Sequence, residues 1–182
     1  RTTNGRGGVQ DRTAAELQEL DAGGGERIPT LAEAIELVRG RCGLVVELKE
    51  TRGIEMICTV LRESGMERIG IVSFHTESLR KARTLLPVPT GLIFSRESGT
   101  ALQAAEEDAI DWILPKYPLL TRTLVEMAHE RGRKVIAWTL NAAPAIRRAR
   151  DLGVDGIASD DPCTARRYVR DALPGGSGGN RA

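Results

Sequence analysis

From residue 30 onward, short apolar runs of strand length alternate with amphipathic stretches of helical period, and this alternation is what most limits the fold. Thr30-Leu-Ala-Glu33 forms a capping box, and Leu31, Ala34, Ile35 and Val38 follow at helical spacing until Gly40 stops the helix. A second helix carries Ile54, Ile57, Cys58 and Leu61 and ends at Gly65. Further helices are expected near Glu77–Leu86, Ala101–Glu107, Arg122–Arg131, Ala143–Leu152 and Thr164–Ala172, with a short one after Thr13-Ala-Ala-Glu16. Between them lie strand candidates Leu44–Leu48, Ile69–Phe74, Gly91–Phe94, Trp112–Leu114, Lys134–Trp138 and Gly156–Ala158. Units of about 20–25 residues of this kind predict a parallel sheet with helical crossovers. The pattern alone fits a doubly wound sheet or most of a (β/α)8 barrel equally well.

The balance of charge narrows the function. With 26 Lys and Arg against 25 Asp and Glu, the 182 residues carry a net charge of +1, which excludes the strongly basic footprint of a dedicated nucleic-acid binder. Hydrophobic residues make up 41% and charged ones 28%, as in an ordinary globular domain. No apolar run reaches the ~18 residues of a membrane span. Cys42, Cys58 and Cys163 make neither a disulfide framework nor a zinc motif and read as reduced thiols of a cytoplasmic protein. The first strand is followed by no G-x-G-x-x-G, and Gly23-Gly24-Gly25 lacks the Lys-Ser/Thr of a P-loop. Residues 1–12 read as a turn-rich surface loop and the Gly-rich stretch 174–182 as a flexible tail. The chain opens at Arg1 without an initiating Met or a signal-peptide pattern, and so reads as cut at its front.

Parallel α/β folds bind ligands at the carboxyl ends of their strands. The polar and aromatic residues expected there are Glu47 and Lys49, Ser73-Phe74-His75, Ser95-Arg96, Lys116-Tyr117, Trp138-Thr139 with Asn141, and Ser159-Asp160. Glu47 and Lys49 stand two apart on one strand, so both point to one face. Opposite charges at such a position must be paired, metal-bound or used. The carboxylate suits a hard cation such as Ca²⁺ or Mg²⁺, and the lysine suits a phosphate; a purely structural ion pair accounts for them equally well. Trp138 reads as core or as the wall of a ligand pocket. His129 reads as a solvated helical residue, and Asp160-Asp161 as caps of the last helix.

Several of these residues recur in an order that resembles the glycerophosphodiester phosphodiesterase family. They include Arg1-Thr-Thr-Asn-Gly5, Glu26-Arg-Ile-Pro-Thr-Leu31, Glu47-Leu-Lys49, Ser73-Phe74, Trp138-Thr-Leu-Asn141 and Gly153-Val-Asp-Gly-Ile157. The resemblance spans residues 1 to about 170 and implies a TIM (β/α)8 barrel, here incomplete, with about six of its eight parallel strands. It implies hydrolysis of glycerophosphodiesters to an alcohol and glycerol 3-phosphate with a divalent metal, Ca or Mg. Glu47 then corresponds to a metal-ligand carboxylate and Lys49 to a phosphate-binding lysine. Trp138 and Phe74 correspond to walls of the glycerol pocket.

The departure from the family matters as much. Its His-Arg, Glu-x-Asp and His-Asp motifs, which hold two catalytic histidines and two further metal carboxylates, precede the Arg-Thr-Thr stretch, so none falls in this chain. The expectation is a phosphodiesterase domain over residues 1–173, inactive as these 182 residues alone, with a small glycerophosphodiester as its partner and neither nucleic acid nor a transmembrane segment. The alternative is a non-catalytic binding or regulatory domain derived from such a barrel.

Overall fold

The computed structural model describes residues 3–96 and 98–170. The expected tail at 174–182 and the last two residues of the helix expected to reach Ala172 lie outside them. The chain divides into two compact units, one of Arg1–Leu44 with Glu55–Ile69 and one of Val45–Ile54 with Gly70–Ala182.

The first unit holds helices α1 (Ala14–Gln18) and α2 (Leu31–Val38). Both open on the capping boxes legible in the sequence. At α2 the Thr30 hydroxyl accepts from the Glu33 amide at 3.2 Å, while the Glu33 carboxylate accepts from the Thr30 amide at 2.8 Å. These reciprocal bonds satisfy amide donors that a helix start leaves unpaired. They also hold the Glu33 carboxyl below its ordinary pKa. Ile35 is the buried anchor of α2. The loop of residues 3–12 is more ordered than a plain surface loop. It contains a 3-10 turn at Val9–Asp11, and Asn4 is stitched to Asp21 by its amide (3.0 Å) and its side-chain oxygen (3.0 Å).

Strands β1 (Leu44–Leu48), β2 (Ile69–Ser73), β3 (Thr90–Phe94), β4 (Trp112–Pro115), β5 (Lys134–Ala137) and β6 (Gly156–Ile157) form one six-stranded sheet. They are separated by α3 (Ile54–Glu63), α4 (Thr76–Leu85), α5 (Ser98–Glu107), α6 (Arg122–Glu130) and α7 (Ala143–Asp151), and β6 leads into α8 (Pro162–Arg170). Their order in the sheet is β1-β2-β3-β4-β5-β6, and the registers from β2 to β6 are parallel. A doubly wound sheet would reverse its order at a switch point. Strictly sequential order is instead that of a TIM (β/α)8 barrel, of which these are six of the eight strands. β1 and β6 are its edges.

Alternation along each strand separates two faces. One carries Ile71, Leu92, Ile113 and Val135, all buried, and helices α4, α5 and α6 pack on β3, β4 and β5. The other buries Val72, Ile93 and Leu114 against Trp112, Ile136 and Trp138, a cluster made only of strand residues. That strand-only layer is the interior packing expected of a barrel. Two glycines make room for its bulk. A Cβ on Gly91 would stand 2.6 Å from a Leu114 methyl and 3.1 Å from one of Val72, and a Cβ on Gly70 would strike the Trp112 ring. Gly65 (φ 62°) and Gly153 (φ 81°) end helices in the left-handed region that turns the chain into the next strand.

Candidate functional site

The upper rim of the strand-only face brings together most of the residues singled out from sequence. On β1 the buried Leu48 points to the helix side, so Glu47 and Lys49 stand on the opposite face. The Lys49 ammonium donates to Glu47 Oε1 at 2.5 Å. With side chains 72% and 31% exposed, this pair contributes under about 1 kcal/mol to stability. Glu47 Oε2 has no partner among the described residues. The end of β1 is held by Ser73, whose fully buried hydroxyl donates to the Leu48 carbonyl at 2.7 Å and accepts from the His75 amide at 3.0 Å.

Phe74 follows β2 and remains 44% exposed. Its ring meets Trp138 edge to face, centroids 5.8 Å apart at 89°, the arrangement that aligns a ring edge with a π face. The Trp138 indole N–H donates to the Leu114 carbonyl at 2.7 Å. Trp138 packs on the core cluster and, on its other contact, against the exposed Phe74 ring. The Trp138–Thr139 peptide is cis. Beyond it, Asn141 ties the ends of β5 and β6 together. Its side chain donates to the Asp160 carboxylate at 2.7 Å and accepts from the Asp160 amide at 2.9 Å and the Ser159 hydroxyl at 3.1 Å.

Two expectations need correction. Only Asp161 caps α8, accepting from the Thr164 amide at 3.0 Å; Asp160 is turned to Asn141 instead. The Thr164 hydrogen bonds hold the Asp161 carboxyl below its ordinary pKa. His129 is not a merely solvated residue, since its Nε2 lies 2.8 Å from Asp155 Oδ2, which also accepts the Val135 amide at 2.8 Å. Burial pushes the Asp155 pKa up, but the Val135 amide and His129 outweigh it and the net shift is downward. A depressed carboxyl contributes stability above its unfolded pKa of about 4 and loses it as pH falls through the folded value. Asp155→Ala is thus expected to cost about 1–2 kcal/mol at pH 7 in urea unfolding. The difference from wild type should shrink below about pH 4; identical curves at pH 7 would contradict this.

His129 lies in α6, bound to Asp155 and away from the rim, whereas His75 follows β2 as an exposed residue whose backbone amide donates to Ser73. No group of three His, Cys, Asp or Glu side chains that could hold a metal exists among the described residues. Glu47 is a fitting hard-oxygen donor, but it is one ligand of the six or more that Ca²⁺ or Mg²⁺ takes. The rim as it stands can bind an anion, press a small polyol against aromatic rings and lend one carboxylate to a cation. Of the polar residues collected at strand ends, Lys116 shares this face, a position that sequence analysis gathered but did not single out.

The sequence profile of the glycerophosphoryl diester phosphodiesterase family matches residues 1–164. A glycerophosphodiester phosphodiesterase of Caldanaerobacter subterraneus is 35% identical over 185 aligned residues, covering 93% of this chain and 76% of the relative. Among solved structures, a phosphodiesterase from Oleispira antarctica in complex with the product sn-glycerol-3-phosphate is similar with TM-score 0.86 and 28% identity, over 93% of this chain and 75% of that one. A glycerophosphoryl diester phosphodiesterase from Parabacteroides distasonis matches with TM-score 0.74 and 29% identity, over 98% and 70% of the respective chains.

Proposed function

The chain belongs to the glycerophosphoryl diester phosphodiesterase family, and from that premise we propose that its strand-only rim is the glycerophosphate half of a metal-dependent phosphodiesterase site. The observation that carries the reading is the convergence of Glu47, Lys49, Phe74 and Trp138 on one face at the carboxyl ends of β1, β2 and β5. Lys49 binds a phosphoryl oxygen as a point charge. Phe74 and Trp138 hold the glycerol moiety, so that its hydroxyl is positioned rather than searching, which is a proximity effect. Glu47 supplies one oxygen ligand to a calcium or magnesium ion. Such an ion, when bound, offsets the charge that grows on the phosphoryl oxygens.

Proton transfer is assigned to groups other than His129, which lies in α6 bound to Asp155. The three unpaired thiols fit a reducing, cytoplasmic setting; no helix among the described residues is long and apolar enough to cross a membrane.

The test is release of glycerol 3-phosphate from glycerophosphocholine with calcium or magnesium present. The 182 residues alone are expected to show no turnover. A chimera that adds the part of the Caldanaerobacter relative left out of the match is expected to be active. Binding of glycerol 3-phosphate by a chimera that never turns over would favour the non-catalytic binding domain instead.

A further inference from the structure

We infer that Lys116 is a second substrate-binding cation of this rim, one that grips the phosphate of the glycerol 3-phosphate moiety and favours the dianionic product over the diester. The inference rests on the proposed glycerophosphate reading and adds to it a residue that the family resemblance did not mark.

Register places it. Ile93 pairs with Leu114 and Gly91 with Trp112, so Trp112 and Leu114 belong to the strand-only face, and Lys116, two residues on, continues that parity. Lys116 is itself bridged to Trp138. Its backbone is pinned on both sides: its amide donates to the Phe94 carbonyl at 2.9 Å, and the neighbouring Tyr117 amide donates to the Trp138 carbonyl at 2.7 Å. The side chain thus starts from a fixed point directly beside the aromatic wall.

Charge singles it out. Lys49 is neutralised by Glu47. Arg80, Arg131 and Arg150 are likewise engaged with Asp108, Glu106 and Asp151. Arg96, exposed beyond the end of β3, lines a groove with Phe74, Phe94 and Thr100 that does not include Trp138. Lys116 is exposed and has no carboxylate partner among the described residues. An uncompensated ammonium with three donors beside a polyol-sized aromatic wall suits a phosphate oxygen. A phosphodiester carries one negative charge, whereas a monoester with a second pKa near 6 carries nearly two at pH 7.5. A point charge therefore gains more from the monoester.

The experiment is calorimetric titration of the 182-residue chain with sn-glycerol 3-phosphate, for wild type, Lys116→Met and Lys116→Arg, between about pH 5 and 7.5. The methionine variant is expected to bind about tenfold more weakly at pH 7.5, the loss of one charge-assisted hydrogen bond, with an unchanged melting temperature. It should also lose the rise in affinity that wild type shows as the phosphate gains its second charge. Lys116→Arg, which keeps the charge, should stay within about threefold of wild type. Equal affinities of wild type and Lys116→Met would overturn the role of Lys116 while leaving the glycerophosphate reading standing. Equal losses in both variants with lowered melting temperatures would make Lys116 structural and overturn it as well. A wild-type chain that does not bind sn-glycerol 3-phosphate at all would sink the glycerophosphate reading, and the inference with it.

Discussion

Glu47→Gln in the active chimera is expected to lower turnover by more than about 100-fold while leaving the unfolding curve nearly unchanged. The carboxylate is a hard, charged donor, and a neutral amide of the same shape coordinates calcium or magnesium far more weakly. Residues that merely support a metal ligand already cost 10–100-fold when removed, and a ligand itself should cost at least as much. The fold has little stake in the change, since among the described residues the Glu47 side chain bonds only to Lys49, two residues on, in an exposed pair. Metal titration by calorimetry separates the effects. Unchanged metal affinity with lost turnover would move Glu47 from ligand to some other role; unchanged affinity and turnover would remove it from the site.

Trp138→Ala is the second large effect, and it should appear in two readouts. In the chimera, the KM for glycerophosphocholine is expected to rise well beyond any change with an aryl phosphodiester that has no glycerol moiety, because the wall acts on the glycerol. Stability should also fall, by about 3 kcal/mol, the lower end of the range for deleting a core tryptophan, since Trp138 is only half buried. Trp138→Phe loses the indole donor to Leu114 but keeps a ring against Phe74. It should therefore retain much of the glycerol selectivity at a stability cost of about 1 kcal/mol. Equal losses on both substrates in both variants would return Trp138 to the core alone.

How far the sequence reveals this arrangement depends on the range of the interaction involved. Capping boxes at Thr13 and Thr30 act over three residues, and both form as read. Strand and helix cores were likewise legible because their periodicity is local, and their ends moved by only a few residues, as at α8, which starts at Pro162 rather than Thr164. The choice between a wound sheet and a barrel was not local: it turns on which strands are neighbours, and only the sequential order decides it. The parity of Glu47 and Lys49 could be read from their spacing, but the meeting of Phe74 with Trp138 joins β2 to β5 across the face and carries no signal in either segment. The Asp155 acceptor for His129 lies 26 residues away in sequence. Asp160 was misread for the same reason, as adjacency to a helix start suggested a cap, whereas Asn141, 19 residues earlier, claims its carboxylate.

The central claim is that glycerol 3-phosphate sits on the strand-only rim, and a ¹H–¹⁵N correlation spectrum of the 182-residue chain titrated with that compound tests it most directly. The account predicts shifts concentrated at the amides of Lys49, Phe74, Lys116 and Trp138 and at the Trp138 indole N–H, with the amides of α7 and α8 unmoved. Shifts confined to the groove of Phe74, Phe94, Arg96 and Thr100, with Lys49, Lys116 and the Trp138 indole silent, would contradict it.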